Sequence, residues 1–264
     1  KDPLESTHLK ILKWILGIHK KSNNNFCYGD TGRTPWAVDV IPQCISYFIR
    51  ASQVATGTVN TLLHHTFMDQ RQHNLSWYST WSSVVSLSST AKPNLHPARA
   101  AKEYLRDKFV DHWKAEIRSQ PKMVFYSEMK PEFGEEPYLR LPSKQHRVNI
   151  AKLRSSSHDL RIETGRYAKE GASIKSSKAC RFCTEVDVLS TLEQLPFFED
   201  PIQESESHVL TECPGYHHLR LKLSDNLKSL IMLKAYNTIM STLHLEEFGK
   251  YVTDLARHRN PIRS

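Results

Sequence analysis

Three cysteines and one histidine carry the clearest chemistry in this chain. Cys180 and Cys183 stand two residues apart in "CRFC", and Cys213 follows His208 by five positions, giving C-x2-C-x24-H-x4-C. A two-residue gap lets both thiolates of a tight turn point at one ion, and a five-position step is roughly a turn and a half of helix, so His208 and Cys213 can face the same ion. Four such ligands suit Zn2+ held tetrahedrally, in a closed structural site with no position for catalytic water. The other reading of the same residues is buried thiols beside a surface histidine. His217 and His218 stand close enough in sequence to substitute for His208.

Charge is segregated around this pattern. The chain carries a net +8 with a pI near 9.2, a balance that suits a polyanionic partner or simply a basic globular protein. Residues 140–181 hold eleven lysines and arginines against three acids, whereas 184–206 hold seven acids and no base. The basic run is a candidate phosphate-backbone surface, with Arg147, Lys152, Arg154, Arg161, Arg166 and Arg181 as contacts and Lys175 and Lys178 as their lead-in. An ordinary solvated face is the alternative. The acidic stretch reads as a loop excluded from the cysteine knuckle.

Other chemistries are missing from the sequence. It contains no Gly-rich phosphate loop, no G-x-S-x-G elbow and no H-E-x-x-H pair. Five cysteines give no disulfide framework, and Cys27 and Cys44 read as packed thiols. No stretch approaches twenty apolar residues and no signal peptide stands at the start, so neither a membrane nor a small-molecule substrate is expected as a partner. The chain opens on Lys1, from which a fragment or processed product is expected.

The elements that must position these residues read as helices. Residues 2–21 begin with Asp2, Pro3 and Glu5 in capping-box order, and Leu4, His8, Ile11, Ile15 and Ile18 recur at helical spacing, with Leu12 and Leu16 widening the stripe. "KSNNNFCYGDTGR" reads as a loop, Thr34-Pro35 as the start of a helix kinked at Pro42, and the run after Gly57 as a third helix. Residues 73–96 read as a Ser-rich linker with a short helix. From Pro97, Ala101, Leu105, Phe109, Trp113 and Ile117 line one helical face as core. A short extended piece is expected around "MVFYS" and a further helix over 143–157. The fold class expected is mainly α. Helical segments over 1–72 and 97–170 flank the linker, followed by a small CCHC zinc knuckle with its acidic insert over 171–216 and C-terminal helices over 217–264.

Two stretches resemble a known family. "HLKILKWILGIHKKSNNNFCYGDTGRTP", through Leu16, Gly17, Asn24, Tyr28, Gly29, Asp30, Gly32 and Arg33, is similar to the segment after the polymerase core in non-long-terminal-repeat (LINE-type) retrotransposon reverse transcriptases. "LRSSSHDLRIETGRY", through Leu153, Arg154, His158, Leu160, Ile162, Glu163, Gly165 and Arg166, resembles a later segment of that family that precedes a C-x2-C…H-x4-C-P knuckle, and Pro214 supplies the final proline. The resemblance implies the post-polymerase, C-terminal part of such a polyprotein. It implies template RNA or target DNA and the upstream polymerase domain as partners, and a nuclear, intracellular location. No Y-x-D-D-type aspartate pair and no endonuclease motif are present, so no enzymatic activity is expected of this stretch alone. A helical structural or protein-interaction module is the alternative function.

Overall fold

The computed structural model describes residues 2–53, 65–66, 68–69, 72–73, 76–167, 178–183, 201–241 and 243–259. Among them every regular element is helical, and two isolated antiparallel bridges, Thr31 with Glu135 and Ala179 with Gln203, are the strand-like pairings. The chain is mainly α, as its periodicity predicts. It divides into two compact units, Lys1–His8 with Arg33–Ala115, and Leu9–Gly32 with Glu116–Ser264. The helix run predicted after Gly57 falls largely outside the described residues.

The helix α1 (Pro3–Leu16), whose first six residues belong to the first unit, starts where Asp2 caps it, the Asp2 carboxylate accepting from the Leu4 amide at 2.9 Å. The Glu5 carboxylate accepts from the Trp36 amide at 2.7 Å, at the start of α3 (Trp36–Gln53). Pro42 lies inside α3 as the sequence suggests. Where a short helix and then a Ser-rich linker are expected over 73–96, one 16-residue helix, α4 (Ser76–Ala91), takes most of the stretch. Its hydroxyls bond back to the preceding turn, Ser88 to the Val85 carbonyl and Thr90 to that of Ser86, so they do not compete with the helix. Trp81, Val84 and Val85 then pack against Ile45 and Ala101, and that burial outweighs the weak propensity of serine. The Ala101 position belongs to α5 (Pro97–Ser119), whose Trp113 and Ile117 are also buried. Cys44 is exposed rather than packed, because Ile45 takes the inward position on α3.

In the second unit the predicted loop after α1 is a helix, α2 (Asn24–Thr31). The asparagine run that reads as a turn supplies its cap, since the Asn23 side chain accepts from the Asn25 amide at 2.8 Å. Gly32 ends it at φ 62°, and an added Cβ there would lie 2.5 Å from the Glu135 nitrogen. Cys27 is buried on α2, and burial pushes its thiol up to about 12. On α1 the buried residues are Leu12 and Leu16, while Leu4, Ile11 and Ile15 are exposed. Two adjacent apolar stripes share the helical period, so spacing alone does not choose between them.

The "MVFYS" piece is helical as well. A turn at Pro121–Met123 leads into α6 (Val124–Met129), which buries Phe125, Tyr126 and Met129. Ser143 caps α7 (Lys144–Arg154), its hydroxyl accepting from the His146 amide. The turn α8 (Arg161–Thr164) precedes the cysteine region. Then come α9 (Glu206–Thr211), α10 (His217–Arg220), α11 (Asp225–Met232), α12 (Tyr236–Ser241) and α13 (Leu245–Arg259). The last helix packs along α7, and the core of this unit includes Phe26, Tyr126, Ile150 and Phe248.

Candidate metal centre

The four residues of the C-x2-C…H-x4-C pattern meet. One ligand atom from each of Cys180, Cys183, His208 and Cys213 lies within 4.8 Å of all the others, and all four residues are buried. Cys180 and Cys213 stand with their sulfurs 3.5 Å apart, and the Cys183 sulfur is 3.4 Å from His208 Nε2. His217 and His218 are exposed and outside the cluster, so neither substitutes for His208.

Local structure explains the convergence. The Cys180 amide donates to the Ile202 carbonyl at 2.7 Å and the Glu204 amide to that of Lys178 at 2.9 Å, so a short antiparallel pairing aims the first cysteine. Ser205 caps α9 by accepting from the His208 amide, which fixes the histidine in the first turn. The Cys213 amide returns to the His208 carbonyl at 2.8 Å, closing the second half. The Arg220 guanidinium donates to the Cys213 and Val209 carbonyls.

The electrostatics suit a cation. A hydrogen bond from the Cys213 thiol holds Cys180 well below the ordinary thiol range, aided against burial by His208 and by the Cys183 and Phe182 amides. The same bond pushes Cys213 upward, with burial adding to it. Two sulfurs this close cannot both be anionic unless a positive charge lies between them. Burial pulls the His208 imidazole down, but the Cys180 sulfur and the Glu212 carboxylate outweigh it and the net shift is upward. Its Nδ1 is buried without a hydrogen bond, and Glu212 stands 3.6 Å away. A carboxylate in that place orients a metal-bound imidazole. The set can therefore hold a metal ion as a buried fastener.

Aromatic packing ties the cluster to α13. Phe182, between the first two cysteines, meets Tyr216 edge-on at 5.1 Å and stacks on His258 at 5.8 Å. The Arg181 guanidinium lies 4.7 Å from the Phe182 ring centre and donates to the Arg259 carbonyl at 3.1 Å. Gly215 is what admits this ring, since an added Cβ would lie 2.4 Å from Phe182 Cγ. Gly215→Ala is therefore expected to destabilise by about 1–3 kcal/mol through overpacking. The measurement is a thermal melt, where each kcal/mol lowers Tm by about 2–4 °C in a chain of this size. An unchanged Tm would mean that Phe182 moves aside freely.

The predicted phosphate contacts fare unequally. Arg154 is 0% exposed and cannot reach a nucleic acid; its charge is spent inside the fold. Arg147 is half-buried and donates to the Leu141 and Pro142 carbonyls. Arg161 donates to the Ala179 carbonyl at 3.1 Å, and Arg166 is exposed but paired with Glu163 at 3.1 Å. Arg181 is engaged with Phe182 and the end of α13. Lys152 and Lys178 are half-exposed, with no side-chain partner among the described residues. Lys175 and residues 184–200 of the acidic insert lie outside those residues. Its last two acids are not a solvated loop. Glu204 is buried against Arg259 and the Arg161 amide, and Glu206 accepts from His158 at 2.8 Å and from Ser156 at 3.0 Å.

Arg154 belongs to a cluster that spacing does not reveal. Its guanidinium grips Asp30 with two bonds, at 2.8 and 3.0 Å, and Glu136 stands 3.2 Å away. Tyr126 and Tyr138 both donate to the Asp30 carboxylate, at 3.0 and 2.7 Å, and Lys130 pairs with Glu136. Two acids and two bases thus balance in a buried site. Both phenols are held well above their ordinary range, by burial first and the Asp30 charge next. The "YGD" and "LR" motifs, far apart in sequence, are the two halves of one buried ion pair.

Compared with models of known protein families, with curated proteins and with solved structures, the chain matches none. Among the described residues no helix is long and apolar enough to cross a membrane.

Proposed function

We propose that Cys180, Cys183, His208 and Cys213 hold one structural Zn2+ and that the helical module built on it binds single-stranded RNA or DNA. The buried, mutually close set of three sulfurs and one imidazole nitrogen carries the reading. Soft sulfur ligands select zinc over magnesium or calcium, and zinc bonds of about 2.3 Å to sulfur and 2.0 Å to nitrogen imply tetrahedral edges of about 3.5–3.8 Å. The 3.4 and 3.5 Å separations in the cluster are close to those edges. Four protein ligands complete a tetrahedral shell, so the ion's role is to organise the fold rather than to activate water. The nucleic-acid part is supported by the net charge of +8 and by the available ammonium groups of Lys152 and Lys178. The resemblance to the region after the polymerase in LINE-type reverse transcriptases supplies the partner class, with a polymerase domain as the neighbour and the nucleus as the place of action.

Anisotropy of a labelled single strand at several salt concentrations tests this. Log affinity is expected to fall linearly with log salt, and Lys152→Ala with Lys178→Ala to flatten the slope by about 1.4, at about 0.7 per phosphate contact. One observation favours a second reading, in which the module packs against another protein. Trp14 is 82% exposed on α1 beside exposed Ile11 and Ile15. No binding at low salt, or a salt-independent affinity, would favour that reading instead.

A further inference from the structure

Within the second unit the end of α1 abuts α7. Gly17 follows α1 at φ 65°, and an added Cβ there would lie 2.6 Å from Val148 Cγ2. Five residues on, the Ser22 hydroxyl meets that of Ser157 at 2.6 Å, so residues 17–22 run beside α7 from Val148 to just past its end. Lys20 and Lys21 lie on this segment, and Lys144 and Lys152 stand one helical turn to either side of Val148. The other side of α7, through His146 and Asn149, is covered by α13. On α1, Lys10 and Trp14 form a row that leads to Gly17, at i, i+4 and i+7.

We infer that an unpaired nucleic-acid strand lies along this seam, with one base stacked on Trp14 and phosphates at Lys20, Lys21 and Lys152. The strand as occupant rests on the nucleic-acid reading above; the exposed ring and the unpaired lysines do not. Trp14 is 82% exposed, so its indole is open to a base. An aromatic side chain beside cations that track a backbone is the arrangement that holds single strands without regard to sequence. The charge around Trp14 selects a strand over a protein groove. Residues 6–29 and 137–158 contain no Asp or Glu. Lys10, Lys20, Lys21 and Lys144 are exposed and Lys152 is half-exposed, and none has a side-chain partner among the described residues. Lys13 donates to the Lys20 carbonyl at 2.9 Å. Three acids come near. Asp159 shares a cavity wall with Lys152, Glu116 reaches Asn23 through Gln120, and Glu206 is buried against His158 and Ser156. Six lysines outnumber them, so a second copy of this face would be repelled. Exposed Ile11 and Ile15 beside the ring also suit a protein groove, but that groove would have to supply the carboxylates, whereas a strand brings a phosphate with every nucleotide.

The test uses the full chain with metal bound and a labelled single strand. Trp14→Ala is expected to weaken strand binding about tenfold at every salt concentration. The slope of log affinity against log salt should stay unchanged, because stacking releases no counterion. Trp14→Phe keeps a ring face and should recover most of the loss. Lys20→Ala with Lys21→Ala should instead flatten the slope by about 1.4. A blunt duplex offers no unstacked base and should bind Trp14→Ala and wild type alike. The Trp14 side chain is on the surface, so an equal Tm for the variant is expected and verifies that folding is intact. Salt-dependent strand binding with unaltered affinity in Trp14→Ala overturns the inference and leaves the nucleic-acid reading standing on another surface. No strand binding at low salt overturns both and assigns Trp14 to a protein contact.

Discussion

Cys180→Ser protein, expressed with excess zinc, is expected to carry almost no metal where the wild type carries about one equivalent. The serine oxygen is a poor, rarely ionised ligand, and three remaining groups do not close the shell. Metal binding in small fingers is worth about 10–16 kcal/mol in apparent terms, and where the site forms only on folding that energy is folding energy. Here only part of it is at stake, because the second unit has a core of its own around Phe26, Tyr126, Ile150 and Phe248. The loss should nevertheless travel beyond the knuckle. Phe182 packs on Tyr216 and His258, and Arg181 donates to the Arg259 carbonyl, so the end of α13 depends on the turn that holds Cys180 and Cys183. Hydrogen exchange should accelerate over 178–183, 206–216 and 255–259, with α3, α4 and the first half of α5 unaffected. Chelation of the wild type should reproduce the pattern, and lowering the pH should approach it as thiolates and imidazole take up protons. Equal metal content in wild type and variant would remove zinc from the account.

How much of this was legible in the sequence depended on how far each feature reaches along the chain. The metal ligands could be read because their two halves are each local: a C-x2-C turn, and a histidine in the first turn of one short helix with a cysteine just past its end. The helical class followed from periodicity, and the start of α5 from Pro97. Composition misled wherever a polar residue served the backbone. Asn23 looks like part of a loop but caps α2, and the serines of α4 satisfy themselves within the helix. Charge counting misled in the same way. Arg154 sits in the basic run between half-exposed Lys152 and half-buried Arg161, and nothing within ten residues of it announces Asp30. Glu204 and Glu206 likewise look like the tail of an acidic loop, yet one meets Arg259 and the other His158. A count of charges gives no information on burial, because the partners that make burial possible are distant in sequence.

Asp30→Ala and Arg154→Ala are each expected to lower stability by about 3–5 kcal/mol, since each leaves the other charge buried and unpaired. The effect is large because the environment offers no water as a substitute. Arg154 is fully buried between the Tyr126 and Tyr138 rings, at 5.3 and 5.6 Å from their centres. Losing Asp30 also strands both phenolic hydroxyls, which donate to its carboxylate. Losing Arg154 leaves two carboxylates, Asp30 and Glu136, with Lys130 as the remaining base in contact with Glu136. The double variant Asp30→Ala with Arg154→Met should cost less than the two single losses together, because it removes both charges and keeps apolar volume. Urea unfolding of the wild type, Asp30→Ala, Arg154→Met and the double variant gives the cycle, and a coupling of about 1–3 kcal/mol is expected for groups in direct contact. The same experiment separates structure from binding at Arg154. If the arginine served a phosphate, its loss would flatten the salt dependence of strand affinity in a protein of unchanged stability. The buried cluster requires the reverse, a markedly less stable protein whose folded fraction keeps its salt slope.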